Sequence, residues 1–367
     1  MPTRTHDWSR LKVYPLAERQ SLTSADEILI PPDLPPAECT PDVARHIDAC
    51  AASIVAARER DSAVILMYGA HLLRNGAALI LEEMMSKGWL THLATNGAGT
   101  IHDWEYAWFG RSTESVRANV ATGTFGAWDE TGRSIMTALL AGGATNGFGY
   151  GKSLGKFIAE DGIDVPSPEE LRLAIRANPD HPLTGARADL LKANLPGGRV
   201  QMNHRWKQAS ILAQAYRHGI PMTVHPGIGY DIIANHPLFD GAVVGRAATT
   251  DFRLLGDSVD GLDGGVLLSV GSAIMAPQVF EKTLSCVNNL RLQDGRKPVE
   301  GHSLYVVDLQ DGGNWDWTTG EPPKTNAAYY LRFCKSFARM GGAMHYVQSD
   351  NLAFVHHLLH ALRRKTT

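Results

Sequence analysis

One pattern constrains this chain more than any other. A short apolar run is followed by a glycine-bearing turn and then by a stretch with helical spacing, and the unit recurs to the C-terminus. Ser62 to Met67 is the clearest run. A continuous apolar run of this length, closed by glycine, is what a strand buried on both faces looks like. The pattern predicts strands over 62–67, 89–95, 221–225, 242–244, 266–270, 304–308 and 343–347. It predicts helices over 41–60, 76–87, 205–218, 249–260, 278–289, 325–339 and 351–364, because apolar residues recur there at helical spacing. Such alternation implies an α/β fold, a parallel sheet with helices on both faces. Residues 1–40 hold Pro31, Pro32, Pro35 and Pro36 and read as an extended lead-in. Residues 41–367 read as a single α/β domain. Proline and charge concentrate at about 160–200, which reads as an inserted excursion within that domain.

Composition excludes several function classes. Hydrophobic residues make up 44% and charged residues 20%, so the chain can bury a core. The net charge of −3 supplies no overall field for nucleic acid or anionic lipid. No run approaches the roughly 18 uncharged apolar residues of a membrane span, and the N-terminal residues carry no apolar secretory stretch. Cys39, Cys50, Cys286 and Cys334 are scattered without metal-ligand spacing. A soluble cytoplasmic protein with reduced thiols is expected, with neither nucleic acid nor membrane as partner.

A substantial part of the 36 glycines clusters after the predicted strands. Gly69 and Gly76 lie in YGAHLLRNG, Gly97 and Gly99 in TNGAGTIHDWE, Gly227 and Gly229 in VHPGIGYD, and Gly271 in LLSVGSA. Ligands of open parallel sheets bind beyond the carboxyl ends of the strands. Glycine there lets backbone N–H groups approach a phosphate closely, although tight strand-to-helix turns need glycine in any case. Asn146 to Ser153 resembles a phosphate-binding P-loop but has asparagine at its first glycine position, and Gly97-Ala98-Gly99 does not continue into a dinucleotide fingerprint.

Polar residues flank these turns. Asn96, His102, Asp103 and Glu105 fall within one turn and its helix start. His102 is a candidate acid/base group. Asp103 reads either as a ligand contact or as a charge suited to the first turn of its helix. His225 and Asp231 flank the glycines of a second turn, and Glu130 sits in the glycine-bracketed loop GTFGAWDETG. The candidate catalytic set is therefore His102, His225, Asp231 and Glu130. No HExxH occurs, and no metal is assigned to His71, His92, His102, His225 or His236. On the terminal helix, His356 and His360 share a face without a carboxylate nearby.

The order of these segments resembles the deoxyhypusine synthase family, over about residues 60–335. The resemblance implies a Rossmann-like core, NAD as cofactor, and a homo-oligomer, tetramer or dimer, with sites at subunit interfaces. The family's NAD turn falls on Tyr68 to Gly76, with His71 where an asparagine is expected. A second NAD turn falls on Asn96, Gly97, Ala98 and Gly99. The acid that holds spermidine falls on His102, and the next aspartate on Asp103. A glycine-isoleucine-glycine-aspartate segment matches Ile228 to Asp231, and a triple-glycine strand end matches Val270, Gly271 and Ser272. The implied cofactor set is Gly69, His71, Gly76, Asn96, Gly97, Ala98, Gly99, Asp103, Gly271 and Ser272. The lysine that forms an imine in the family has Arg332 nearest to it, with Lys324 and Lys335 off register. Arginine stays protonated and cannot form that imine. The expectation is an NAD-dependent transferase-type enzyme acting on a small amine, guanidine or amino-acid derivative, and not authentic deoxyhypusine synthesis. The alternatives are a hydrolytic or NAD-consuming enzyme of this fold, or a non-catalytic NAD-binding protein.

Overall fold

The computed structural model describes residues 6–366. Its centre is a sheet of six strands: β1 (Val64–Tyr68), β2 (His92–Thr95), β3 (Met222–Val224), β4 (Val266–Val270), β5 (Ser303–Asp308) and β6 (Ala343–Gln348). Across the sheet they run β6-β5-β4-β1-β2-β3, and every neighbouring pair is parallel. This is the doubly wound order of the Rossmann-like class, with its reversal between β1 and β4.

The helices that matter to the site and the sheet are α1 (Pro41–Glu59), α2 (Ala70–Arg74), α3 (Ala78–Ser86), α4 (Gly97–Phe109), α5 (Asp129–Asn146), α6 (Ile211–His218), α7 (Gly241–Asp260), α8 (Met275–Gln293), α9 (Arg332–Ala338) and α10 (Asn351–Thr366). Between β2 and β3 the chain leaves the sheet. An antiparallel ribbon there pairs Gly162–Val165 with Gly198–Gln201 and encloses helices Pro168–Ala177 and Thr184–Ala193.

Alternate residues of the strands feed two cores. Val64, Leu66, Tyr68, Leu93, Val266, Leu268 and Val270 share one core with residues of α1, α3 and α10. Ile65, Met67, Ala94, Leu267, Leu304 and Val306 join the other. Every residue of β1 and β4 is buried, which is why β1 reads as an unbroken apolar run and β4 as one broken only by Ser269.

Four local expectations are corrected. Residues 242–244 are not a strand but the first turn of α7, because Asp240 accepts hydrogen bonds from Ala242 and Val243 and starts the helix there. The loop 123–132 ends early, with Asp129 and Glu130 already in the first turn of α5. Helix 325–339 is interrupted at Leu331, leaving a 3-10 turn before the seven residues of α9. The lead-in is not simply extended. Thr23–Ser24 pairs antiparallel with Arg111–Ser112, and Leu16 is fully buried.

β1 and β4 end on glycines that touch. A Cβ on Gly69 would lie 2.1 Å from the carbonyl oxygen of Gly271, which is backbone and cannot turn aside. Gly69→Ala should therefore destabilise the protein, by about 1–3 kcal/mol for such overpacking. Gly245, within α7 and with nothing near its missing Cβ, is the control. Its alanine variant should gain up to about 1 kcal/mol from helix propensity. Urea unfolding of both variants checks the pair.

Candidate active-site cleft

α4 starts where β2 ends. The Asn96 side chain accepts from the Gly99 amide at 2.9 Å and sets the first turn. Gly97 and Ala98 then present amides to the carboxylate of Asp231, which also accepts from the Gly227 amide at 2.7 Å. A Cβ on Gly97 would lie 2.4 Å from Asp231 Oδ2, so only glycine admits this contact. Burial raises the Asp231 pKa above the usual carboxylate value, and the three amides oppose the rise. The helix start that could bind an external anion thus holds an acid of the chain itself.

Beside this contact lies a cleft of about 240 Å³, lined in part by Arg19, Arg74, Ala98, His102, Glu105 and Asp231. Its floor is a buried ion pair. Arg19 Nη1 and Nη2 each donate to one oxygen of Glu105 at 2.8 Å, and the two side chains are 2% and 1% exposed. Thr131 Oγ1 donates to Glu105 Oε1 at 2.9 Å. Ser112 Oγ donates to Glu105 Oε2 at 2.5 Å and lies 2.7 Å from His102 Nδ1. Ser112 has one hydroxyl proton, and it goes to Glu105. His102 Nδ1 is therefore the donor to Ser112, and Nε2 carries the lone pair. Gly110 makes this chain possible. It closes α4 in the left-handed region, at φ +69°, and the chain returns with Ser112 alongside His102.

Burial pushes the His102 pKa down to about 4. Glu105 opposes that shift, whereas Arg74, Arg19 and His71 add to it. The ring is neutral at neutral pH, as a proton acceptor must be.

The other expected site residues lie elsewhere. Asp103 is not in the first turn of α4 and does not face the cleft. It caps α6, accepting from Ser210 Oγ, from Ile211 N at 2.8 Å and from Leu212 N at 3.2 Å, and burial raises its pKa to about 7. His225 Nε2 pairs with Thr223 Oγ1 at 3.0 Å, and Thr223 in turn meets His92 Nε2 at 2.9 Å. Burial lowers the His225 pKa to about 4. Glu130 Oε2 accepts from the Leu16 amide at 2.7 Å and holds the lead-in. Gly76 sits against the carbonyl of Ile28, Gly99 against Thr95, and Gly271 against Asn351. Ser272 accepts from the Ala276 amide at 3.2 Å, inside the start of α8. His71 is exposed on α2. Of the proposed catalytic set, His102 and Asp231 line the cleft, and His225 and Glu130 do not. Arg332, Lys324 and Lys335 are also absent from its lining, and Lys335 Nζ lies 3.2 Å from the Tyr329 ring centre.

Sequence reasoning missed Arg19, Arg74 and Ser112. Arg74 did leave a signal: it follows His71 by three residues, hence on one side of a helix. Arg19 left none, being 86 residues from its partner. Among the described residues no group of three His, Cys, Asp or Glu side chains could hold a metal ion, and no helix is long and apolar enough to cross a membrane.

No family model matches the chain, and no curated protein matches it. Solved structures do. ArgZ, an arginine dihydrolase from the ornithine-ammonia cycle in cyanobacteria, aligns with a TM-score of 0.43 and 12% identity, over 89% of this chain and 32% of that one. AgrE in its ternary complex with ornithine and NAD+ gives 0.43 and 12%, over 90% and 34%. A conserved LOR/SDH protein from Methanococcus maripaludis S2 gives 0.42 and 14%, over 92% and 74%. This chain spans about a third of the length of the ArgZ and AgrE chains.

Two outcomes follow from the geometry. Glu105→Gln leaves the Arg19 guanidinium buried without its counter-ion, so it should cost roughly 3–5 kcal/mol in urea unfolding. His225 has a folded pKa near 4, below the ordinary 6.5. The unfolded chain therefore takes up that proton first, and the stability due to neutral His225 is present above pH 6.5 and lost as pH falls toward 4. At pH 5 the loss is about 2 kcal/mol relative to neutral pH. His225→Asn should lose less stability than the parent between pH 7 and pH 5, measured as urea midpoints.

Proposed function

We propose that this protein is an NAD-dependent enzyme of transferase type, acting on a small amine, guanidine or amino-acid derivative in the cleft, with His102 as its general base. One observation carries the reading. The Glu105–Ser112–His102 chain fixes the tautomer and leaves Nε2 of a neutral imidazole free in a cavity.

The residues at the reversal of strand order fit a dinucleotide. Gly69 and Gly271 bring bare backbone together at the ends of β1 and β4, where such ligands lie in sheets of this order. The start of α4 fits less well, since Asp231 already takes its amides. Gly69, Gly271 and neighbouring backbone would hold the cofactor, and NAD bound there would supply hydride acceptance. The protein's own part is to orient the substrate and accept its proton at His102 Nε2. Glu105 holds Ser112, Ser112 holds the imidazole, and the positive charges of Arg74 and Arg19 help to keep that imidazole unprotonated. No lysine lines the cleft, so transfer there would proceed without an imine to the enzyme. A hydrolytic enzyme would use the same base on water, and dependence on NAD separates the two readings.

The test is turnover of an amine, guanidine and amino-acid panel with NAD, followed by NADH absorbance and by mass spectrometry of the products. His102→Ala should lower turnover by about 10²–10⁴-fold while the far-ultraviolet circular dichroism is unchanged. The acid limb of kcat/KM should fall near pH 4, and not near the ordinary histidine value of 6.5. Full activity in His102→Ala would remove the base, and absence of NAD binding would remove the cofactor.

A further inference from the structure

The charges around the cleft do not all have partners. Arg19 gives both terminal nitrogens to Glu105. Glu114 accepts from the Gly126 amide, Trp128 Nε1 and Asn119 Nδ2. Asp231 is held by backbone amides. Arg74 is the exception. It lines the same cavity, no side-chain hydrogen bond or ion pair reaches it among the described residues, and its Nε is buried without a partner. A buried donor left unpaired costs about 1–3 kcal/mol, more for a charged group, so such groups generally have a partner.

We infer that Arg74 anchors the carboxylate of the substrate, and that the substrate is a small amino acid and not a simple amine. The inference rests on the reading of this cleft as the place of reaction. A planar guanidinium offers paired N–H donors that match a carboxylate or a phosphate. Size favours the carboxylate. The cavity of about 240 Å³ lies below the roughly 300–1,000 Å³ of pockets for drug-sized ligands, and a dinucleotide is larger still. The remaining walls suit the other end of an amino acid. Asp231 places an acid in the lining, which favours an ammonium group, and His102 Nε2 can take the proton that such a group must lose before its nitrogen reacts. Arg74, Asp231 and His102 together complement a zwitterion.

The experiment uses pairs that differ by one carboxylate: L-ornithine and putrescine, L-lysine and cadaverine, L-arginine and agmatine. Calorimetric binding to the full chain is compared for the parent, Arg74→Gln and Arg74→Lys, with NAD titrated separately and thermal unfolding as the fold control. The parent should bind the amino acid at least about tenfold more tightly than the amine in at least one pair, as losing a charge-assisted hydrogen bond implies. Arg74→Gln should erase that preference, and Arg74→Lys should keep part of it. NAD affinity should be the same in all three proteins. The assignment is overturned if no pair shows a carboxylate preference in the parent, or if Arg74→Gln retains it. It is also overturned if Arg74→Gln weakens NAD by a similar factor, which would place a phosphate on the guanidinium. If the parent binds no NAD yet keeps the preference, the cofactor reading fails and the role of Arg74 stands.

Discussion

The ion pair between Arg19 and Glu105 is the contact on which the rest of the cleft depends. A buried ion pair is not by itself a large source of stability, because desolvating two charges offsets most of their attraction. Its effect here is positional. Glu105 receives Arg19 from the lead-in, Thr131 from α5 and Ser112 from the strand after α4. Three separate segments meet on one carboxylate. Each gives a charge-assisted hydrogen bond to it, and the imidazole orientation follows from where Ser112 is held.

The sheet and the cleft obey different rules, and they are not equally legible in the sequence. β1 and β4 are buried on both faces, so their sequences are almost wholly apolar, Ser269 being the one small polar residue, and can be read directly. Residues 242–244 mislead because two adjacent valines look like a strand. What decides them is Asp240, one residue before the helix begins, and the apolar spacing that continues to Val259. The cleft is assembled from residues far apart in sequence. His102 and Asp231 are visible because glycines and polar residues crowd around strand ends. Arg19 is invisible, since nothing in a single sequence marks an arginine as the partner of a glutamate on another element.

The glycines teach a related lesson. In the sequence they suggest backbone laid bare for a ligand. In the fold, several are small because another part of the chain occupies the space: Asp231 at Gly97, Thr95 at Gly99, the Ile28 carbonyl at Gly76. Dense strand-end glycine is thus as much a sign of tight internal closure as of ligand binding. The contact of Gly69 with Gly271 combines the two. It brings the halves of the sheet together at the one place where their helices diverge to opposite faces.

The lead-in also has a consequence for the direction in which a proton can travel. Arg19 takes both oxygens of Glu105 and holds the carboxylate where Oε2 accepts the Ser112 hydroxyl proton. Were that carboxylate turned away, Ser112 would lose its acceptor. Ser112 would then be released to turn its proton toward His102 Nδ1, and the imidazole would carry its hydrogen on Nε2 instead. The cleft would present a donor where it now presents an acceptor. A segment that contributes no strand to the main sheet therefore sets the polarity of the whole relay.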